Sequence, residues 1–444
     1  MNKDIILVIT PEMGGSGGCY WHRIATMANH INANACFNTK VVISPMPIFD
    51  GNLMARCKCI LFQRPCGQPM LDWIKRYAEL QPKFGYGIVG EIDDAWWNII
   101  PDYNMSSLQP RPWDQIETIF RESLKYLDRM IVTTEFMRRK LNKDYNYWNV
   151  KVIENAAPKS MYSANKKTFF RDKPLCIIPS GMQHYRMPQP ISQQFPGGVT
   201  ALRGDYTGKW PEFLIKEIKE QKIQLHAMAD KPYFLGPVHE MIETSPWQDT
   251  PNYAAFMTRM QPDIILAPLQ ENDFNRAKSR LKCAEGFAIG AIVIGTIFDY
   301  SPYEVLHPYC KVPVNPTIEQ LETVFKNVKE HWKEILEYQY DWINNNGEFM
   351  ESNDHINKYL IALTPPNQKF IERKLIMKTE IDVCGNRDLI DIFQDGHVGQ
   401  IEENQSNNHP EWKHWMCHDF RKNPVETQCF DTFKEALLWL ENII

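Results

Sequence analysis

Hydrophobic and polar positions alternate along this chain at two different periods, and the switching between them outlines its elements. Ile5 to Thr10 is β-branched and apolar on both faces, as a buried parallel strand requires, and Pro11 with the glycines after it ends the run. A helical pattern follows from near Tyr20 to about Asn32. Further buried strands are expected at Lys40–Ser44, Cys59–Gln63, Tyr86–Ile92, Met130–Thr134 and Asn149–Ile153, with amphipathic helices at Met70–Leu80 and near Ile116–Tyr126 between them. This alternation predicts a doubly wound α/β unit.

Between Lys151 and Lys173 the periodicity fades, and six basic residues (Lys151, Lys159, Lys166, Lys167, Arg171, Lys173) face two acidic ones (Glu154, Asp172), which reads as a linker. The α/β pattern then restarts: strands at Pro174–Ile178, Ile223–His226, Asp263–Ala267 and Ala291–Gly295, and helices at Trp210–Gln221, Ser279–Ile289 and Ile318–Asn344. From about Pro365 short strand patterns with glycine turns and an amphipathic helix at Thr432–Ile443 suggest a small α+β module. The expected organisation is therefore a Rossmann-like domain over 1–172, a second over 173–364, and an accessory module over 365–444. The two sheets would meet with their C-terminal ends across a cleft, where open α/β sheets bind ligands.

Composition narrows the function without choosing it. The chain has 444 residues, too many for one ordinary core at roughly 100 to 200 residues per domain. With 49 basic and 54 acidic side chains the formal charge is -5, so the protein as a whole lacks a nucleic-acid binder's cationic footprint. The 11 cysteines are scattered with no CxxC pair, which fits a reducing compartment and no zinc site. The apolar run at the N-terminus is too short for a signal peptide, and no stretch reaches the roughly 18 residues of a membrane span, so a soluble cytoplasmic protein is expected. The oligomeric state is not readable.

Three segments carry chemistry. The first is Gly14-Gly-Ser-Gly-Gly18, between the first strand and helix, where the amides of Gly15, Ser16, Gly17 and Gly18 and the helix start behind them can face a phosphate. It is not a GxGxxG motif, since the third glycine position is Tyr20, and no Walker A pattern occurs. The competing reading is a plain flexible turn. The second segment is Glu271 to Gly295, which is expected to place Asn275, Lys278 and Ser279 at the start of a helix with Glu285 two turns along the same face. Cation and helix start would take a diphosphate, and Glu285 would accept from two ribose hydroxyls. A solvated helix face is the bland alternative. The third is Gly90-Glu-Ile-Asp-Asp-Ala-Trp-Trp-Asn98, which puts Asp93 and Asp94 at a strand's cleft end, where a carboxylate can accept the proton of an acceptor hydroxyl, or else cap a helix. Weaker candidates are His22, Arg23, and the pair His184 and Arg186, the last able to share a diphosphate's charge. The Trp412, His414, Trp415, Cys417, His418 cluster fits an aromatic strand better than a metal site.

In the second segment Phe274, Asn275, Lys278, Ser279, Leu281, Lys282, Glu285, Gly290 and Val293 resemble the donor-site pattern of the GT-B glycosyltransferases, above all family 4, and with the glycine loop and the two-half layout the resemblance covers roughly residues 1–360. It implies two Rossmann-like domains facing across a cleft, a nucleotide-diphosphate sugar (UDP-sugar favoured) as donor substrate, no obligatory cofactor or metal, and catalysis by Lys278, Arg186 and an acidic group at Asp93 or Asp94. His184, Asn275, Ser279 and Glu285 would bind the donor. The family's earlier glutamate is Ala277 here, so only Glu285 carries over. More loosely the chain resembles phage enzymes that glycosylate 5-hydroxymethylcytosine in double-stranded DNA, which would make that DNA the acceptor and partner and a host cytoplasm the location; the basic linker and abundant aromatics fit this. A glycan or lipid-linked acceptor, and a non-catalytic nucleotide-sugar-binding protein, are the alternatives.

Overall fold

A computed structural model describes residues 4–13, 18–34, 36–95, 112–162, 167–179, 205–228, 231–246, 248–345 and 352–364, together with five strands between 381 and 430. The first half is a parallel sheet of β1 (Ile5–Ile9), β2 (Lys40–Ser44), β3 (Cys57–Gln63), β4 (Gly87–Ile92), β5 (Arg129–Val132) and β6 (Val150–Val152), in the order β2-β1-β3-β4-β5-β6. All five residues of β1 are buried, because helices cover both faces of a doubly wound sheet. The first helical run, Gly18 to Ala33, carries a π-helical turn at Trp21–Ala25.

The second half is also parallel: β7 (Leu175–Ile178), β8 (Gln224–Met228), β9 (Glu243–Ser245), β10 (Ile264–Ala267), β11 (Ile292–Ile297) and β12 (Lys311–Pro313), ordered β12-β11-β10-β7-β8-β9. The fold is thus α/β with two Rossmann-like doubly wound sheets, the GT-B layout expected from the sequence. Strand order reverses between β1 and β3 in one sheet and between β7 and β10 in the other, and such switch points open a crevice beyond the strands' C-terminal ends. The two cores change over within the chain at Ala156, packed with the first sheet, and Ala157, packed with the second. The late helix Asn353–Ala362 returns to the first sheet, with Ile356, Tyr359, Ala362 and Leu363 in that core.

The helix expected around Ser279–Ile289 is present as Leu281–Ala288, but Asn275, Lys278 and Ser279 do not begin it. A short helix, Asp273–Arg276, is capped by Asn272, whose side chain accepts from the Asn275 amide at 2.9 Å, and the main helix runs only from Leu281 to Ala288. Lys278 and Ser279 therefore sit in the connection, not on the helix face that carries Glu285. That helix packs hard on the sheet: a Cβ at Gly286 would lie 2.4 Å from Val293 Cγ2 and 3.1 Å from Ile265 Cδ1. Gly286→Ala should cost about 1–3 kcal/mol of stability in a denaturant titration, as overpacking does; an unchanged midpoint would show the helix free to shift.

Residues 381–430 contribute, as a separate unit, an antiparallel sheet of β13 (Ile381–Cys384), β14 (Arg387–Phe393), β15 (His397–Gln405), β16 (Lys413–Asp419) and β17 (Glu426–Phe430) in sequential order. β16 holds the His414, Trp415, Cys417 and His418 stretch as the strand expected for it. The helix expected at Thr432–Ile443 lies outside the described residues. No described helix is long and apolar enough to cross a membrane.

Candidate active site

Hydrogen bonds and ion pairs join the C-terminal edges of the two large sheets. Asp94, two residues beyond β4, meets Lys278, whose Nζ lies 3.2 Å from its Oδ1. Asn155, just past β6, donates through Nδ2 to the Ser279 hydroxyl at 2.9 Å. Thr134 donates to the Ala277 carbonyl at 3.4 Å, and Lys140 pairs with Asp273 at 3.0 Å. Arg280 pairs with Glu154. His22, in the π-helical turn, places Nε2 3.4 Å from Glu285 Oε1. The sequence's second and third chemical segments are therefore in contact although they lie far apart in the chain.

On the first-half side, Asp93 and Asp94 part company. Asp93 is buried and its carboxylate accepts from Arg64 Nε at 3.1 Å, while its backbone carbonyl accepts from Thr133 at 2.9 Å. Burial alone would raise its pKa, but the Arg64 guanidinium, together with a hydrogen bond from Cys19 and the charge of Arg23, outweighs it and holds the carboxyl below the usual aspartate value. Asp93 stays an anion locked to a cation. Arg64 itself takes a left-handed backbone, φ 53°, at the end of β3, and also pairs with Glu12 beyond β1. Strained non-glycine residues of this kind cluster at functional sites. Asp94 is the more open carboxylate, with a side chain 22% exposed. Arg23 is a framework residue, its Nε 2.6 Å from Glu91 Oε1 and Nη1 2.6 Å from the Ile153 carbonyl, all buried.

On the second-half side, Asn275 is wholly buried and donates to Asp205 Oδ1 at 2.9 Å and to the Gln270 carbonyl at 2.7 Å, so it braces the loop after β10. Lys278 stands with its ammonium 4.3 Å from the Phe274 ring centroid. Glu285 is buried and its oxygens are already engaged: Oε2 accepts from Lys282 Nζ at 2.7 Å, and Oε1 accepts from the Tyr162 hydroxyl at 3.2 Å beside His22. A carboxylate offers about four lone-pair sites, so the two ribose hydroxyls expected there would have to displace an internal partner.

Burial would raise the Glu285 carboxyl, yet Lys282, then His22, outweigh it and hold it down at about 2. The sign follows: this group's contribution is fully present above its unfolded value of 4.5 and is lost as the pH falls toward 2. Glu285→Gln should lower stability at pH 7 by on the order of 3 kcal/mol, with parent and variant converging only below pH about 2. Thermal melts across that range test it, and a pH-independent difference would place the cost in packing rather than charge.

Gly18 begins the first helical run; Gly15, Ser16 and Gly17, like His184 and Arg186, lie outside the described residues. Among the described residues no group of three or more His, Cys, Asp or Glu is placed to hold a metal ion. Three site residues had no sequence signal of their own. Arg64 and Asn155 acquire a role only from the strand ends they adjoin, and Tyr162 lies in a segment read as linker.

The sequence matches no protein-family model, and no curated protein matches it. Among solved structures, the chain is similar to the crystal structure of TarM at 12% identity and a TM-score of 0.45, covering 69% of this chain and 54% of that one. The catalytic domain of starch synthase IV from Arabidopsis thaliana, bound to ADP and acarbose, aligns at 8% identity and a TM-score of 0.48 over 82% of this chain and 100% of that one. A UDP-forming α,α-trehalose-phosphate synthase from Burkholderia xenovorans aligns at 10% identity and a TM-score of 0.43 over 82% of this chain and 99% of that one. The chain spans about half the length of the TarM structure. Scores of 0.38 to 0.48 across the alignments carry no argument about chemistry, so the fold assignment rests on the chain's own strand order.

Proposed function

We propose that this chain is a glycosyltransferase that moves a sugar from a nucleotide-diphosphate sugar, UDP-sugar by preference, to an acceptor hydroxyl. The observation that carries the reading is the contact of Lys278 with Asp94, a cation from one sheet edge against a carboxylate from the other, at the mouth of two facing switch points. Lys278 stabilises the departing diphosphate, and Asp94 takes the acceptor proton while Asp93 remains bound to Arg64. Electrostatic stabilisation of the leaving group needs no obligatory metal. Glu285 and Ser279 bind the donor after exchanging internal partners. A protein that binds nucleotide sugar without turnover is separated from this reading by donor hydrolysis in the absence of acceptor.

The finer proposal for the acceptor is the hydroxymethyl group of 5-hydroxymethylcytosine in DNA, and it rests on the resemblance. The basic segment behind it is reduced, because Lys167 and Arg171 are bound to Asp263 and to carbonyls at the end of the helix Thr250–Met260. The deciding experiment is incubation with a panel of UDP- and GDP-sugars and duplex DNA with or without hydroxymethylcytosine, followed by mass analysis of nucleosides. Transfer to a free hydroxylated sugar and none to modified DNA would remove the DNA acceptor; no transfer to any acceptor would remove transfer itself.

A further inference from the structure

We infer that Asp94 holds Lys278 in the place a donor diphosphate takes, so that donor binding releases the Asp94 carboxylate to the acceptor hydroxyl; this deepens the glycosyltransferase reading and rests on it.

The geometry makes Asp94 the partner that yields. Lys278 is steadied from its own half by the Phe274 ring, 4.3 Å from its ammonium, whereas Asp94 reaches it from the first half. Both side chains keep partial contact with solvent, 16% and 22% exposed, so a ligand can reach the pair. Among the described residues Asp94 makes no other ion pair, and the nearest cation on its own sheet edge, Arg64, is already bound to Asp93 and Glu12. Burial, then Asp93 and to a smaller extent Asp94, raise the Glu12 carboxyl, so this edge carries three like charges around one guanidinium. A diphosphate arriving at Lys278 adds further negative charge beside them. Two anions sharing one ammonium repel each other, and the doubly substituted phosphate chain, with more charge and more acceptor oxygens, wins the cation.

The consequence is chemical. In the resting pair the ammonium engages Asp94 Oδ1; once the diphosphate has taken that ammonium, Oδ1 is released at the C-terminal edge of β4 to accept a proton. The acceptor hydroxyl then bonds through its oxygen to the anomeric carbon, the bond from that carbon to the phosphate oxygen breaks with its electron pair leaving on the diphosphate, and the hydroxyl proton passes to Asp94. The same exchange sets an order of addition, donor before acceptor.

Calorimetric titration of the full chain with UDP, on the parent and on Asp94→Asn, tests the exchange, with UDP-glucose hydrolysis followed in parallel. Asp94→Asn is expected to bind UDP about tenfold more tightly, a coupling of ordinary size for charges in contact, while its UDP-glucose hydrolysis falls. A gain in affinity is an outcome that general damage to the fold does not produce. Asp94→Ser serves as a second variant that removes the charge with a smaller side chain and should show the same gain. If the parent binds UDP and both variants bind it equally or more weakly, the inference is overturned and the function is not. If the parent binds no nucleoside diphosphate, the functional reading falls and takes the inference with it.

Discussion

Lys278→Ala should lower turnover of a nucleotide sugar about 10- to 1000-fold, as removal of a single charge-stabilising group does in other sites. Negative charge on the diphosphate grows as the glycosidic bond breaks, so the ammonium is worth more in the transition state than in the bound ground state, and kcat should fall further than donor affinity. The same ammonium holds Asp94 at 3.2 Å in the resting site, so the substitution also breaks this pair. The pair is part-exposed, and its loss should change global stability by no more than about 1 kcal/mol. Lys278→Arg, which keeps the charge but changes its shape, should recover part of the rate. Steady-state kinetics with calorimetric donor binding separates the two effects. Parent-like turnover in the alanine variant would leave the connection between the two helices as ordinary surface and remove the main support of the functional reading.

Asp263→Ala should destabilise the protein by about 3–5 kcal/mol, the cost of removing one partner from a buried ion pair. Asp263 begins the β10 edge, is 1% exposed, and accepts from Lys167 Nζ at 2.6 Å, Arg171 Nη1 at 2.8 Å and the Leu175 amide at 2.8 Å. Burial pushes the Lys167 ammonium below its usual pKa even with the carboxylate present, so without it a cation is stranded with the Gln261 and Pro262 carbonyls at 2.9 Å and the face of the Phe169 ring. Denaturant unfolding would measure the change, and a shift under about 1 kcal/mol would mean that the pair is solvated and replaceable. The same clamp fixes the entry of the chain into β7, and so the position of the second switch point. These two cations therefore serve the fold, and any phosphate contact from the 151–173 segment must come from its other basic residues.

The amino-acid sequence by itself determined the repeated α/β plan, because buried parallel strands leave an unambiguous record. Runs such as Ile5–Ile9 are apolar on both faces and β-branched, and all six strands of the first sheet were legible, although Lys40–Ser44, expected to be buried, is an edge strand with one buried residue and β6 at the other edge is only partly buried. The edge strands β9 and β12 were not, since three residues with exposed side chains among them carry too little periodicity to register. Local chemistry likewise brought out Asp94, Lys278 and Glu285, through the acidic end of the β4 strand and the charged pattern of the Glu271–Gly295 segment. What each does depends on partners far along the chain. Lys278 and Glu285 seemed to share one helix face, but a capped turn at Asp273–Arg276 breaks the helix before Leu281, and the two side chains part toward Asp94 and toward Lys282, Tyr162 and His22. Asp93 and Asp94 are adjacent and chemically identical, and only the position of Arg64 at the neighbouring strand end makes one a fixed counter-ion and the other an open carboxylate. The physical reason is common to these cases: apolar burial has a period that the sequence displays, whereas a charge's role is set by which opposite charge the folded chain brings within about 4 Å, and that is decided by strand order and packing.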